Sequence, residues 1–165
     1  MSKRNTKTGT NYEEEVRRLL ENYSTHTVAK NTNKRGVYVG KKRNGGKHYV
    51  DILLNGDELL SLKYQEVQGT AEEKIPFEIM KLQQMVVDGG YRCATIVLAG
   101  LDAAWYWKDY YLSEEFRQHM KRIYPNVSII SHQEFESTYL NTKCGESVSL
   151  QGLDEWLLDA QGNSK

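Results

Sequence analysis

Cysteine is nearly absent from this chain. The 165 residues hold two, Cys93 and Cys144, far apart and in no Cys-x-x-Cys spacing, which excludes a disulfide scaffold or a zinc ribbon. Cys93 opens the apolar run Cys93–Leu98 and reads as core. No apolar run approaches the roughly 20 residues of a membrane span. The polar start Met1-Ser-Lys-Arg-Asn-Thr-Lys7 lacks the apolar segment of a signal peptide. The expectation is a chain that stays in the cytoplasm and meets no membrane. His26, His48, His119 and His132 show no metal-ligand spacing, and no Ser-His-Asp arrangement, phosphate loop or dinucleotide fingerprint is present. Net charge is missing too, with 22 Lys and Arg against 22 Asp and Glu.

That neutrality conceals a polarity. Residues 1–50 carry twelve Lys or Arg against four Glu, a net of +8, while residues 51–165 carry ten bases against eighteen acids, a net of −8. Lys30, Lys34, Arg35, Lys41, Lys42, Arg43 and Lys47 cluster where the pattern reads as a strand (Gly36–Val39), a Gly-rich turn (Gly40–Gly46) and a second strand. Lysines release counterions from DNA, and a glycine-rich tip can approach it closely. Lys34, Arg35, Lys41, Lys42, Arg43 and Lys47 are therefore candidate DNA contacts, and the alternative is a solvated loop.

Apolar steps of three and four at Tyr12, Val16, Leu19, Leu20 and Tyr23 predict an amphipathic helix over Asn11–Asn22. A second helix is expected from Pro76 to Val87, with proline in its first turn and Gly89-Gly90 ending it. Then follow a buried strand Tyr91–Ala99, a helix Ser113–Ile123, a strand Val127–Ile130, a short helix Gln133–Tyr139 and a terminal helix Leu153–Leu158. The alternation predicts an α/β fold, a mixed central sheet flanked by helices. The length suits a single domain over 1–165, with a flexible basic arm at 1–10 and a frayed tail at 160–165. The aromatic stretch Ala103–Leu112 suits core or subunit packing, with stacking on an unpaired base as an alternative.

The chemistry-bearing residues lie on the runs Tyr49-Val-Asp-Ile-Leu-Leu54 and Leu59-Leu-Ser-Leu-Lys-Tyr64, joined by Asn55-Gly56-Asp57. Apolar runs around Asn-Gly predict a β-hairpin, and the two-residue period points Ser61, Lys63 and Gln65 to one side. With Asp51 on that side, a carboxylate and an ammonium converge where a divalent cation and a phosphate can meet. Hard cations such as Mg²⁺ take oxygen ligands, and a lysine can steady the attacking water or the phosphate charge. The alternative is a surface ion pair.

Val50-Asp51 and Ser61-Leu-Lys63 resemble the PD-(D/E)xK nuclease superfamily, in which an Asp ends one strand and an acid-x-Lys triplet lies on the next. The resemblance covers roughly Gly9 to Gln84 and implies a restriction-endonuclease-like core. Ser61 stands where the family has Asp or Glu. Some restriction enzymes of the superfamily carry Ser-x-Lys and supply the acid from the following helix, which makes Glu78 the first candidate, with Glu72 and Glu73 behind it. Thr70 to Glu73 also fits a capping box. Many members bring a glutamate from the opening helix, here Glu13, although the macrodipole also favours acids in a first turn. Gln65 is placed to hold a ligand or water through its amide.

The implied activity is a Mg²⁺-dependent DNA endonuclease, with Mn²⁺ able to substitute. It would cut double-stranded DNA at specific sites in a restriction or homing role, as a homodimer or higher homo-oligomer. The alternatives are a repair or junction-resolving nuclease and a DNA-binding module that has lost catalysis.

Overall fold

The computed structural model describes residues 6–140, with side chains from Gly9 onward. Helix α1 (Thr6–Tyr23) buries Tyr12, Val16, Leu19 and Leu20 on the predicted stripe. It begins five residues before the expected start, so residues 6–10, expected in the flexible basic arm, are helical. Extending a helix from a packed turn adds one hydrogen bond per residue fixed, and that carries even Thr and Gly. In consequence Glu13, Glu14 and Glu15 lie in the helix interior, and the first turn holds no acid. The macrodipole does not account for them.

Strands β1 (Val37–Lys41) and β2 (Lys47–Val50) form an antiparallel pair. The strand expected to run through Tyr49–Leu54 is broken at Asp51, because β2 ends at Val50 and β3 (Ile52–Leu54) starts a second sheet. Gly36, at φ 116°, packs so close that a Cβ there would stand 2.3 Å from the Val50 carbonyl oxygen. Only glycine allows that approach, and it holds β2 to β1 while the chain bends away at Asp51. The tight turn forms as expected. Asn55 and Gly56 take φ 53° and 72°, and the Asp57 N–H reaches the Leu54 carbonyl at 3.0 Å, which is type I′ geometry.

The main sheet runs β3, β4 (Glu58–Gln65), β5 (Cys93–Gly100), β6 (Val127–Ser131), with the first pair antiparallel and the other two parallel. This is the mixed α/β sheet flanked by helices. The near-continuous apolar run of β5 fits a strand covered on both faces. One face packs on α1 and α5 (His132–Tyr139), the other on α2 (Ala71–Gly89) and α4 (Glu114–Ile123). Between β5 and α4 lie a 3₁₀ turn, Asp102–Ala104, and the short helix α3 (Lys108–Tyr111).

Helix α2 begins five residues before the expected position, which places Pro76 inside it. Proline cannot donate to the carbonyl four residues back. That carbonyl, of Glu72, accepts the Tyr111 hydroxyl at 2.9 Å instead, so a tertiary bond replaces the missing helical one. Thr70 makes no side-chain cap, so the expected capping box at Thr70–Glu73 does not form. A capping box forms at Ser131 and Glu134, opening α5. Gly90, left-handed at φ 70°, ends α2 as expected. The expected helix Leu153–Leu158, the tail 160–165 and Cys144 lie outside the described residues. Among the described residues no helix is long and apolar enough to cross a membrane.

Candidate active site

The alternation along β4 divides its side chains. Leu60, Leu62 and Tyr64 pack toward α1 and α5, and Leu59 packs toward α2. Ser61, Lys63 and Gln65 share the α2 side, as the hairpin pattern predicts. Ser61 and Gln65 are buried and Lys63 is half-buried. Buried polar groups are unfavourable without partners, so their bonds define the site.

Asp51 stands at the bend, one step past the last registered pair, Ile52 and Leu60. Its Oδ2 accepts the Leu62 backbone N–H at 2.7 Å, taking a β4 donor just where the β3 ladder stops. Oδ1 accepts nothing among the described residues. Burial pushes the Asp51 carboxyl above its usual value, and the charge of Glu78 adds to the rise, opposed by the Leu62 N–H, Lys63 and Lys81.

Glu78 projects from α2 onto the same spot. Ser61 Oγ donates to its Oε1 at 2.9 Å. Lys81 Nζ lies 2.7 Å and Lys63 Nζ 3.8 Å from its Oε2. Burial alone would raise the Glu78 carboxyl, but the two ammonium groups hold it below its usual value. The serine in the acid position therefore directs a carboxylate borne by the facing helix. Asp51 and Glu78 thus stand in opposite states, one disfavoured as an anion and one stabilised.

Glu13, half-buried on α1, lies behind them. Its carboxyl is raised by burial and by the charge of Asp51, against Arg17 and Asn31. Arg17 fastens α1 to the bend by donating to the Asp51 carbonyl at 2.7 Å, to the Ala29 carbonyl at 2.8 Å and to Asn31 Oδ1, with Glu13 3.8 Å away.

Three candidates fall outside this cluster. Gln65 donates its amide to the Ala104 carbonyl, so that group holds the loop after β5. Its Oε1 is buried and makes no bond among the described residues. Gly100, at φ 108°, permits the loop's close passage over Gln65, where a Cβ would stand 2.1 Å from its carbonyl oxygen. Glu72 is buried and accepts the Trp107 N–H at 2.8 Å, and Glu73 is exposed on the outer side of α2.

The basic candidates Lys34, Arg35, Lys41, Lys42, Arg43 and Lys47 are all exposed. Lys41, Lys42, Arg43 and Lys47 surround the β1–β2 hairpin tip. Arg43 pairs with Asp88 at 3.0 Å near the end of α2, which clamps the tip to the helix that carries Glu78.

A family model for the PD-(D/E)XK nuclease superfamily domain matches residues 4–135. The chain belongs to that superfamily. Neither curated proteins nor solved structures gave a match.

Lys81 and His48 belong to this polar cluster, and sequence reasoning missed both. Lys81 carried a signal, since three residues after Glu78 puts both on one helix face. His48 is buried on the inner side of β2, with Nδ1 unbonded among the described residues. Burial, then Lys42 and Lys81, hold its imidazole below the usual value. The carboxylates of Asp51, Glu78 and Glu13 offer oxygen donors crowded by like charge, which fits a hard divalent cation. Among the described residues no three His, Cys, Asp or Glu side chains already form a metal-binding group.

Proposed function

We propose that this nuclease domain is a Mg²⁺-dependent endonuclease that cuts double-stranded DNA at specific sites, in a restriction or homing role. The observation that carries the reading is the convergence of Asp51, Glu78 and Lys63 through the bonds of Ser61 and Leu62. The oxygens of Asp51 and Glu78 would hold the metal, and Glu13 would add negative charge behind them. Bound there, the metal would supply Lewis-acid stabilisation of charge on the phosphate and the departing oxygen.

Lys63 points its ammonium into the same space. It orients the attacking water and steadies the negative charge that develops on the phosphate. Lys81 holds Glu78 ionised and aimed. The exposed basic residues of the β1–β2 hairpin neutralise flanking phosphates and set the position of the duplex, because phosphate contacts fix register while carrying no sequence information. Cutting both strands with so small a domain is simplest in a symmetric dimer. The exposed Phe77, Met80 and Val87 along the outside of α2 support a surface for it.

Incubation with plasmid, phage and branched DNA in the presence of Mg²⁺, followed by a gel, tests the reading. Discrete linear fragments are expected from plasmid and phage DNA. Cleavage of branched DNA alone would make the protein a junction-resolving nuclease, and a retarded band without cutting would make it a binding module.

A further inference from the structure

On the far side of Glu78 from the basic hairpin lies a cavity of about 480 Å³, lined by Gln68, Gly69, Glu72, Glu73 and the aromatics Tyr106, Trp107 and Tyr111. Its walls contrast with those of the hairpin. Trp107 is 58% and Tyr106 71% exposed, and together they line one cavity, the kind of contiguous aromatic surface that marks a binding site. Trp107 is held edge-on by Tyr110, with ring centroids 6.1 Å apart, and its backbone N–H is fixed on Glu72. Trp107 is thus braced by Tyr110 at its ring and by Glu72 at its backbone, and it stays largely exposed.

The polar part of the wall is rich in acceptors. Glu72 spends Oε1 on Trp107, and its Oε2 accepts nothing among the described residues. Glu73 is exposed. Beneath Gly69 the buried Gln65 Oε1, also unbonded among the described residues, lies 3.6 Å from where a Cβ on Gly69 would stand. Carboxylates repel phosphate, so this corner does not suit the DNA backbone. An aromatic face beside acceptors suits a flat ring that carries an amino group.

Two paths lead from the candidate active site to this cavity. From Lys63 to Gln65 along β4 is roughly 7 Å at the usual strand rise, and from Glu78 back to Glu72 along α2 is roughly 9 Å at the helical rise. With bases spaced about 3.4 Å along a strand, the cavity lies about two to three nucleotides from the phosphate that Lys63 would face.

Building on the nuclease reading above, we propose that this cavity receives an unstacked nucleobase bearing an exocyclic amine, two to three nucleotides from the cut. The base stacks on Trp107 and Tyr106 and donates its amine to Glu72 or Glu73. Thymine, which presents a carbonyl oxygen and a methyl group where cytosine presents its amine, is rejected. Extrusion from a duplex is least unfavourable for a base that is already unpaired, so the site prefers DNA with a bulge at that distance.

The test uses the whole chain with Asp51→Asn, so that binding is read without cutting. Duplexes spanning a mapped cut site carry a single extra cytosine, a single extra thymine or none, moved through the five positions on either side of the cut. The extra cytosine is expected to tighten binding about tenfold at two or three nucleotides, in keeping with the value of one base stacked on an aromatic ring, and thymine is not. Trp107→Ala should remove that advantage, and Trp107→Phe, which keeps a ring, should retain most of it. Glu72→Gln with Glu73→Gln should erase the difference between cytosine and thymine. Equal binding of bulged and paired DNA by the parent, or an unchanged preference in Trp107→Ala, overturns the proposal while leaving cleavage by the chain with native Asp51 intact. Failure to bind or cut any DNA overturns the nuclease reading together with it.

Discussion

Both faces of β4 are buried, yet they are built for different ends. Leu60, Leu62 and Tyr64 enter an apolar cluster with α1 and α5. Ser61, Lys63 and Gln65 put a hydroxyl, an ammonium and an amide beneath α2. A strand selected only for stability would be apolar on both sides. The polar face gives up hydrophobic burial and requires each group to be partnered. The partners of its three side chains, Glu78 for Ser61 and Lys63 and the Ala104 carbonyl for Gln65, come from α2 and the turn after β5. The apolar face holds the sheet together, and in the proposed function the polar face assembles chemistry at the sheet's margin.

The widest separation of the two faces is expected at Asp51. Asp51→Asn keeps the shape and can still accept the Leu62 N–H, but it loses the charge that a cation needs. Cleavage should fall about a thousandfold or more, the equivalent of the several kcal/mol a metal supplies. Stability should move the other way. The folded carboxyl titrates above its unfolded value, so ionised Asp51 disfavours the fold at neutral pH. The asparagine variant should therefore be the more stable protein at neutral pH, with a gain that fades as pH falls toward the unfolded carboxylate value of about 3.9. Thermal melts against pH and a cleavage assay read both effects, and parental cutting by the variant would remove Asp51 from the site.

Glu78→Gln should lower cleavage about a hundredfold with the opposite pH sign for stability. Its folded carboxyl is depressed, so it contributes stability above the unfolded value that is lost as pH falls through the folded value. The variant should be less stable at neutral pH, and the difference should vanish in acid. Exposed Glu73→Gln is the control and should cut normally on fully paired DNA. Inactivity there with full activity in Glu78→Gln would move the acid to the other end of the helix.

Much of this was legible from local pattern. Asn-Gly fixed the β3–β4 turn, the period of two put Ser61 and Lys63 on one side, and Gly89-Gly90 marked the end of α2. Apart from the early start of α1, which is helix propagation, the main errors arose where a tertiary contact replaced a local rule. Pro76 reads as a helix start unless Tyr111, thirty-five residues on, is known to satisfy the Glu72 carbonyl. A strand through Asp51 reads as continuous unless Gly36 is known to press on Val50. Gln65 shows its alternation, but its partner at Ala104 belongs to a loop that the sequence alone does not place.

The apolar face is tested by Leu60→Ala. Leu60 is wholly buried between β4 and the α1–α5 layer, so truncation should destabilise the fold by about 2–5 kcal/mol through lost burial and the cavity left behind. Cleavage per folded molecule, measured well below the lowered melting temperature, should stay within a few-fold of the parent. A selective loss of activity without loss of stability would show that the two faces are coupled more tightly than their separate contacts suggest.

The smallest expected effect lies at the hairpin tip, where the contacts are with solvent and, in the proposed function, with phosphate. Lys41, Lys42 and Arg43 are exposed, and Arg43 divides its charge with Asp88. An exposed ion pair is worth roughly 0–1 kcal/mol, so replacing all three by Ala should leave the melting temperature almost unchanged. DNA affinity should fall and its salt dependence should flatten. Each lost phosphate contact removes about 0.9 from the slope of log K against log salt, and a loss of about two is expected, because the Asp88 carboxylate already neutralises much of Arg43. Titrations from low to moderate salt give the slope directly. A loss near three would mean that DNA draws Arg43 away from Asp88 and frees the hairpin from α2. An unchanged slope would make the tip solvated surface, and the duplex would then be sought along Lys30, Lys34 and Arg35, at the other end of β1.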